Sequence, residues 1–200
     1  MKTHKWFSDF DAEKVVQSID KDGAVSISNF LNDEIRLSLL KELKKYRLRK
    51  QPEVYGRYDV KQAFSSVEEF RRDSLFLQVK NEVEEFLREK FETCIPYPLD
   101  GLLQFTDIVV QRYPSGLGGI SAHRDGKSFL NLVVVMVIEG TGRFCLCDDR
   151  EMSNIRVVPN EAGSLILMRA VGFLGKDIQP FHFVHHITKK RTILALRQMK

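Results

Sequence analysis

The sequence predicts an α+β protein in which a layer of N-terminal helices buttresses a C-terminal half folded as a jelly roll, a double-stranded β-helix. Apolar residues recur at helical spacing up to about residue 100 and then switch to short β-rich runs. Those runs, at 106–112, 129–138, 143–147, 155–158, 164–168, 181–187 and 192–196, are separated by Gly, Pro, Asn or Asp and by no helical stretch. Closely spaced strands without intervening helices close into a sandwich or roll.

The elements follow in order. Residues 11–19 predict a short helix, and Gly23-Ala-Val-Ser-Ile-Ser28 predicts a strand of alternating character. Asn32 caps a helix with Ile35, Leu39, Leu40 and Leu43 on one face and acidic Asp33 and Glu34 in its first turn. Residues 47–65 carry Pro52, Gly56 and three aromatics without periodicity, the pattern of an irregular or hairpin-like segment. Ser66-Val-Glu-Glu69 offers a capping box before a long helix marked by Leu75, Val79, Val83, Phe86, Leu87 and Phe91 and ending before Pro96. A tight turn is expected at Thr188-Lys-Lys190, between the last two strands. Residues 1–200 are expected to form one domain, with 1–100 as helical support and candidate substrate lid and 101–200 as the roll.

Composition narrows the function classes. A chain of 200 residues with 43% hydrophobic content buries one substantial core. No run approaches the roughly 18 apolar residues of a membrane span, and the N-terminal residues lack the apolar region of a signal peptide. Cys94, Cys145 and Cys147 have no CxxC spacing, so neither a disulfide framework nor a structural zinc site is expected, and a reducing cytoplasm is the expected setting. Cys145 and Cys147 alternate with Leu146 on a strand and are expected in the core. A net charge of +4 by itself calls for no polyanionic partner.

The chemistry-bearing residues lie late in the chain. On a locally extended segment His123 and Asp125 point to one side while Arg124 points elsewhere, and the turn 114–119 before them can present both at the mouth of the roll. A third ligand must come from a facing strand, and the histidine-bearing candidate is Phe181-His-Phe-Val-His-His-Ile187. His182 and His186 share a face and His185 takes the other; His186 lies near the expected turn, which leaves His182 deeper. Two imidazoles and one carboxylate bind Fe(II) on one face and leave three positions open. Arg191, opening the next strand, is placed to meet the far carboxylate of a chelating keto acid in a bidentate pair. Arg197 reads equally as a strand-end cation, and Tyr113 and Gln111 share one face of an earlier strand.

Gln111-Arg-Tyr113, His123-x-Asp125, Ala162-Gly-Ser-Leu-Ile-Leu167 and His182-x-Val184, followed by Arg191 and Arg197, resemble the catalytic core of the Fe(II)- and 2-oxoglutarate-dependent dioxygenases, over about residues 107–198. The fold this implies is a distorted, cupin-like jelly roll. The resemblance implies Fe(II) on His123, Asp125 and His182, with 2-oxoglutarate and O2 as cosubstrates. It assigns cosubstrate binding to Arg191, Tyr113, Arg197 and Gln111, and the spacing of the two arginines is similar to that of the AlkB-like branch. The implied reaction releases succinate and CO2 and hydroxylates a C–H bond. Asp125 favours hydroxylation over chlorination, because related halogenases lack the carboxylate.

The implied substrate is a small molecule, an amino acid or a protein. The alternatives are an AlkB-like demethylase of nucleic acid and, in another class, a non-catalytic jelly roll that binds a metal or organic acid. The basic run Lys41, Lys44, Lys45, Arg47, Arg49 and Lys50, with Tyr46, Tyr55 and Tyr58, bears on nucleic acid. A solvated helix end is its leading reading, and no base-reading motif accompanies it.

Overall fold

Each helix is delimited by its own capping chemistry. In the computed structural model, which describes residues 4–116 and 118–200, α1 (Ala12–Asp22) starts on Asp11 and stops at Gly23, whose φ of 89° lets the chain turn away. It leads into β1 (Ala24–Ile27). The Asn32 side chain accepts a 2.9 Å hydrogen bond from the Ile35 amide and opens α2 (Asp33–Leu43), as the sequence predicts. Between α2 and α3 (Leu75–Glu92) lie four short strands: β2 (Arg49–Lys50), β3 (Val54–Tyr55), β4 (Val60–Lys61) and β5 (Ser65–Val67), of which β3 and β4 form a separate hairpin.

The expected capping box at 66–69 does not form. The cap of α3 is Ser74, whose side chain accepts from the Phe76 amide at 3.2 Å. Ser66 instead sits in β5 opposite Gln111, buried, with its hydroxyl taking a 2.8 Å bond from Gln51. Strand pairing has claimed the backbone that a cap would need. Glu84 fastens α3 to the roll from a buried position, accepting from Arg88 at 2.7 Å and from the Phe105 amide at 2.6 Å.

The roll consists of β6 (Asp107–Tyr113), β7 (Ile120–His123), β8 (Phe129–Cys147), β9 (Arg156–Val158), β10 (Leu165–Arg169) and β11 (Phe181–Met199). The strand order is β1-β10-β8-β11-β6-β5-β2, with β7 added on β11 and β9 on β8. The first half of the chain is therefore more than a helical layer: β1, β5 and β2 extend the sheet at its edges.

The sequence suggested two strands in each of 129–147 and 181–199; the structure joins each pair into one. β8 and β11 stay antiparallel from Phe181 opposite Cys147 to Met199 opposite Phe129. No tight reversal occurs at Thr188–Lys190. Register shifts between His185 and Thr192, with His186 at a φ of 53°, bend the strand without ending its pairing. The bend needs Gly140: a Cβ there would lie 1.9 Å from the Lys190 carbonyl oxygen and 2.6 Å from the Arg191 Cα.

Parity along these strands separates two cores. Leu132, Val134, Met136 and Ile138 of β8 and Leu194 and Leu196 of β11 join the helices, among them Ile19, Leu39 and Phe91. Val133, Val135 and Val137, with Ile193 and Ala195, face the interior of the roll together with Tyr113 and Phe144. Arg191 and Arg197 have the parity of Ile193 and Ala195. Cys145 and Cys147 are buried and free, and no helix among the described residues is long and apolar enough to cross a membrane.

Gly140→Ala is expected to cost about 3 kcal/mol, combining a positive φ with backbone overlap. Gly56→Ala, at a φ of 72° but with nothing within 4 Å of the new Cβ, is expected to cost about 1 kcal/mol. Urea unfolding of the two variants measures the difference, and equal losses would assign the cost to φ alone.

Candidate metal centre

The pairing of β11 with β7 sets His182 opposite His123, with ring centroids 4.3 Å apart. Asp125 follows two residues after His123, where β7 has ended. Its Oδ1 lies 3.8 Å from His123 Nε2 and its Oδ2 lies 3.9 Å from His182 Nε2. One ligand atom from each of the three residues lies within 4.8 Å of the others. These gaps are too long for hydrogen bonds, whereas ligand atoms each about 2.1 Å from a shared ion stand roughly 3 to 4 Å apart.

The rings are held from behind. His123 Nδ1–H donates to the Ser121 carbonyl at 2.8 Å, and His182 Nδ1 lies 3.4 Å from the Pro180 carbonyl. A backbone carbonyl accepts only, so Nδ1 of His123 carries the proton and Nε2 presents its lone pair to the centre. Phe144 stacks on His182 at 5.6 Å and fixes the second ring. Burial, and then the neighbouring His182, push the His123 pKa down to about 4, which keeps the imidazole in the neutral form a metal requires. Asp125 Oδ2 is buried with no hydrogen-bond partner among the described residues. A buried carboxylate oxygen without a donor is costly, and a cation between these three side chains would satisfy it.

Gln111, Tyr113, His123, Asp125, His182, Arg191 and Arg197 all line one cavity of about 70 Å³, with Val133, Val135, Met168 and Ile193 as apolar walls. Arg191 is 1% exposed, and the hydrogen bond given to its guanidinium is a 3.5 Å contact from Nη2 to Asn160 Oδ1. Its Nε has no partner and no carboxylate among the described residues pairs with it. Burial alone pushes its pKa down, opposed by Tyr113, whose ring lies 5.8 Å away. Tyr113 is 2% exposed; burial pushes its pKa up to about 12, so the phenol stays neutral and donates to Gln111 Oε1 at 2.8 Å. Arg197 differs from Arg191: it is ion-paired with Asp107 and lies over the Phe129 ring at 4.8 Å.

The remaining candidates lie elsewhere. His185 is half-buried beside Cys145, 3.8 Å from its sulfur, and His186 is exposed. The turn 114–119 includes Leu117, which is outside the described residues. In the basic run, Lys45 pairs with Glu42, Lys50 pairs with Glu53, and Tyr46 packs on Phe70 and Phe76, away from any ligand. Sequence reasoning missed Asn160, and it missed the contacts of Arg124 with the Phe181 ring and of Arg150 with the Tyr58 ring. No periodicity or spacing marks these positions, because the bends of the roll bring them together.

Two tests follow from this geometry. His182→Ala is expected to weaken Mn(II) binding by more than about a hundredfold while His185→Ala stays within about threefold, read by titration calorimetry; the reverse order would displace His182 from the ligand set. The second test is the pH dependence of the metal-free protein. His123 has a folded pKa of about 4 against 6.5 in the unfolded chain, so between these values the unfolded state binds more protons. Stability is full above pH 6.5 and is expected to fall as the pH drops toward 4. Urea midpoints across this window should slope less in His123→Gln.

No protein-family model matches the sequence, and no curated protein matches it. Solved structures do. A prolyl-4-hydroxylase of Pseudomonas putida is similar with a TM-score of 0.69 and 14% identity, over 94% of this chain and 99% of that one. A prolyl hydroxylase from Trichoplax adhaerens, in complex with a hypoxia inducible factor oxygen degradation domain peptide, is similar with a TM-score of 0.64 and 15% identity, over 94% and 88%. The non-heme α-ketoglutarate-dependent epimerase SnoN of nogalamycin biosynthesis is similar with a TM-score of 0.63 and 12% identity, over 94% and 83%. With its three helices packed on a large antiparallel roll, this chain has the double-stranded β-helix fold of the 2-oxoglutarate and Fe(II) oxygenases.

Proposed function

We propose that the chain is an Fe(II)- and 2-oxoglutarate-dependent dioxygenase that hydroxylates an unactivated C–H bond of a small-molecule, amino-acid or protein substrate. The carrying observation is that the guanidinium of Arg191, with no carboxylate partner among the described residues, lines the same cavity as His123, Asp125 and His182. A metal site alone would not account for a buried cation without an anion, which is destabilising by several kcal/mol until it is paired. A dicarboxylic keto acid answers both needs, with one end at the metal and the other at the arginine. Prolyl hydroxylases among the solved structures of this fold add weight to hydroxylation.

Each side chain then has a task. His123, Asp125 and His182 would hold Fe(II), with the two imidazoles fixed through their Nδ1 atoms and Asp125 supplying the negative charge. Bound iron with the keto acid and O2 supplies the oxidising chemistry, which places one oxygen atom on the substrate and one in succinate as CO2 leaves. Arg191 would pair with the far carboxylate of the keto acid, its planar fork offering two parallel N–H donors. Tyr113 stays neutral with its O–H donated to Gln111, and its ring lies 5.8 Å from the Arg191 guanidinium. Val133, Val135, Met168 and Ile193 line the cavity with apolar surface, and the low local polarity would strengthen an ion pair at Arg191. Arg197, already paired with Asp107, shapes the inner end of the cavity.

Anaerobic addition of Fe(II) and 2-oxoglutarate is expected to give a weak visible charge-transfer band. Arg191→Ala should raise the 2-oxoglutarate needed for that band by about a hundredfold with Mn(II) affinity unchanged. Arg197→Ala should shift it by less than about fivefold. Folded protein that binds Mn(II) and shows no band would instead be a metal-binding jelly roll without keto-acid chemistry.

A further inference from the structure

A neutral amide, and not a carboxylate, meets the Arg191 guanidinium. Asn160 follows β9, is 7% exposed, and stands behind the cavity wall to which Arg191 belongs. Its Nδ2–H donates to the Val158 carbonyl at 3.0 Å, and its Oδ1 faces Arg191 Nη2 at 3.5 Å. The two neighbours fix this orientation of the amide, because a carbonyl only accepts and a guanidinium only donates. The stem of Arg191 is confined as well. A Cβ at Gly142 would lie 3.1 Å from Arg191 Cδ and 3.6 Å from its Nε, so the bare glycine leaves the side chain its place.

Carboxylates close in sequence are kept away from this guanidinium. Glu161, next to Asn160, is exposed. Glu139 is engaged with Thr192 at 2.8 Å and Lys190 at 3.2 Å. Arg197, on the same strand face as Arg191, shows the other solution, since Asp107 neutralises it. A carboxylate in place of the Asn160 amide would do the same for Arg191, and that buried pair would have to break before an outside anion could bind. An amide oxygen orients a guanidinium without cancelling its charge, and its hydrogen bond is weaker than an ion pair. The charge of Arg191 therefore stays uncompensated in the empty cavity and available to a ligand.

We infer that Asn160 is a positioning residue that makes the cavity selective for a dicarboxylic keto acid: it orients the Arg191 guanidinium and leaves its charge to the ligand's far carboxylate. This rests on the keto-acid reading proposed above, with the selectivity assigned to a residue behind the cavity wall.

Titration calorimetry of the Mn(II)-loaded protein compares 2-oxoglutarate with 2-oxopentanoate, which lacks the far carboxylate. The unaltered protein is expected to prefer 2-oxoglutarate by about a hundredfold. Asn160→Asp should shrink that preference below about fivefold, with the affinities for 2-oxopentanoate and Mn(II) within about threefold of their starting values. Asn160→Ala, which keeps the free charge and loses the orientation, should retain a preference of about tenfold. In the ligand-free protein, Asn160→Asp should lower the urea midpoint less when Arg191 is present than in an Arg191→Met background, because only Arg191 offers the new carboxylate a partner. A full preference in either variant, parallel weakening of both keto acids, or equal midpoint shifts in the two backgrounds would each overturn the inference. Should Asn160→Asp not fold, the preference of Asn160→Ala decides alone. Equal binding of both keto acids by the unaltered protein would overturn this inference and leave a keto acid at the metal, whereas binding of Mn(II) and of neither keto acid would overturn the hydroxylase reading with it.

Discussion

β8 and β11 are each 19 residues long and remain paired through a shared bend, and the site depends on that continuity. Before the bend β11 offers His182 to β7; after it, the same strand offers Arg191 and Arg197 to β6. A tight hairpin at the bend would separate these residues into strands free to slip against one another. Unbroken pairing with β8 instead fixes His182 relative to the buried guanidinium of Arg191 through one hydrogen-bonded ladder. Gly140 makes this affordable, since only a residue without a Cβ lets β8 pass against Lys190 and Arg191.

The same ladder sets the free-energy problem of the interior. Parity that sends Leu194 and Leu196 onto the helices necessarily sends Arg191 and Arg197 inward, among valines. Arg197 finds Asp107 and is neutralised within the protein. Arg191 finds only a long contact to Asn160, and Asp125 keeps an unsatisfied oxygen. Two opposite charges are thus buried in one cavity, each without an adequate partner. The roll tolerates this because two hydrophobic cores, one on each face of the sheet, offset the cost. A ligand that pairs with either group adds its binding energy to the folded state. Local instability here is the counterpart of affinity.

Much of this was legible in the sequence because it depended on short-range rules. The Asn32 cap is a local signal. The choice of His182 over His185 needed only the two-residue period of a strand, and the structure sets His182 against His123 and His185 against Cys145. The capping box at Ser66 obeyed an equally local rule and still failed, because β6 offered the same backbone better partners. The sequence predicts a turn at Thr188–Lys190 where the strand only bends, since bulges and turns share their polar, charged composition and differ only in whether the neighbouring strand follows. The Arg150 and Tyr58 contact left no trace at all: it joins two loops whose meeting is decided by how the roll closes.

Prolyl hydroxylases and an epimerase share this architecture, so the fold cannot by itself choose a reaction outcome. Residues on the inner strands have little freedom to differ, because parity and packing hold them. Under the proposed reaction, the outcome is then decided by which C–H bond is brought to the metal and at what angle. The elements that the ladder leaves freest to differ are the β3–β4 hairpin and the 148–154 loop, joined through Tyr58 and Arg150. Arg191, buried in the cavity and held in register by the sheet, is suited under the proposed reaction to holding one dicarboxylate throughout a turnover.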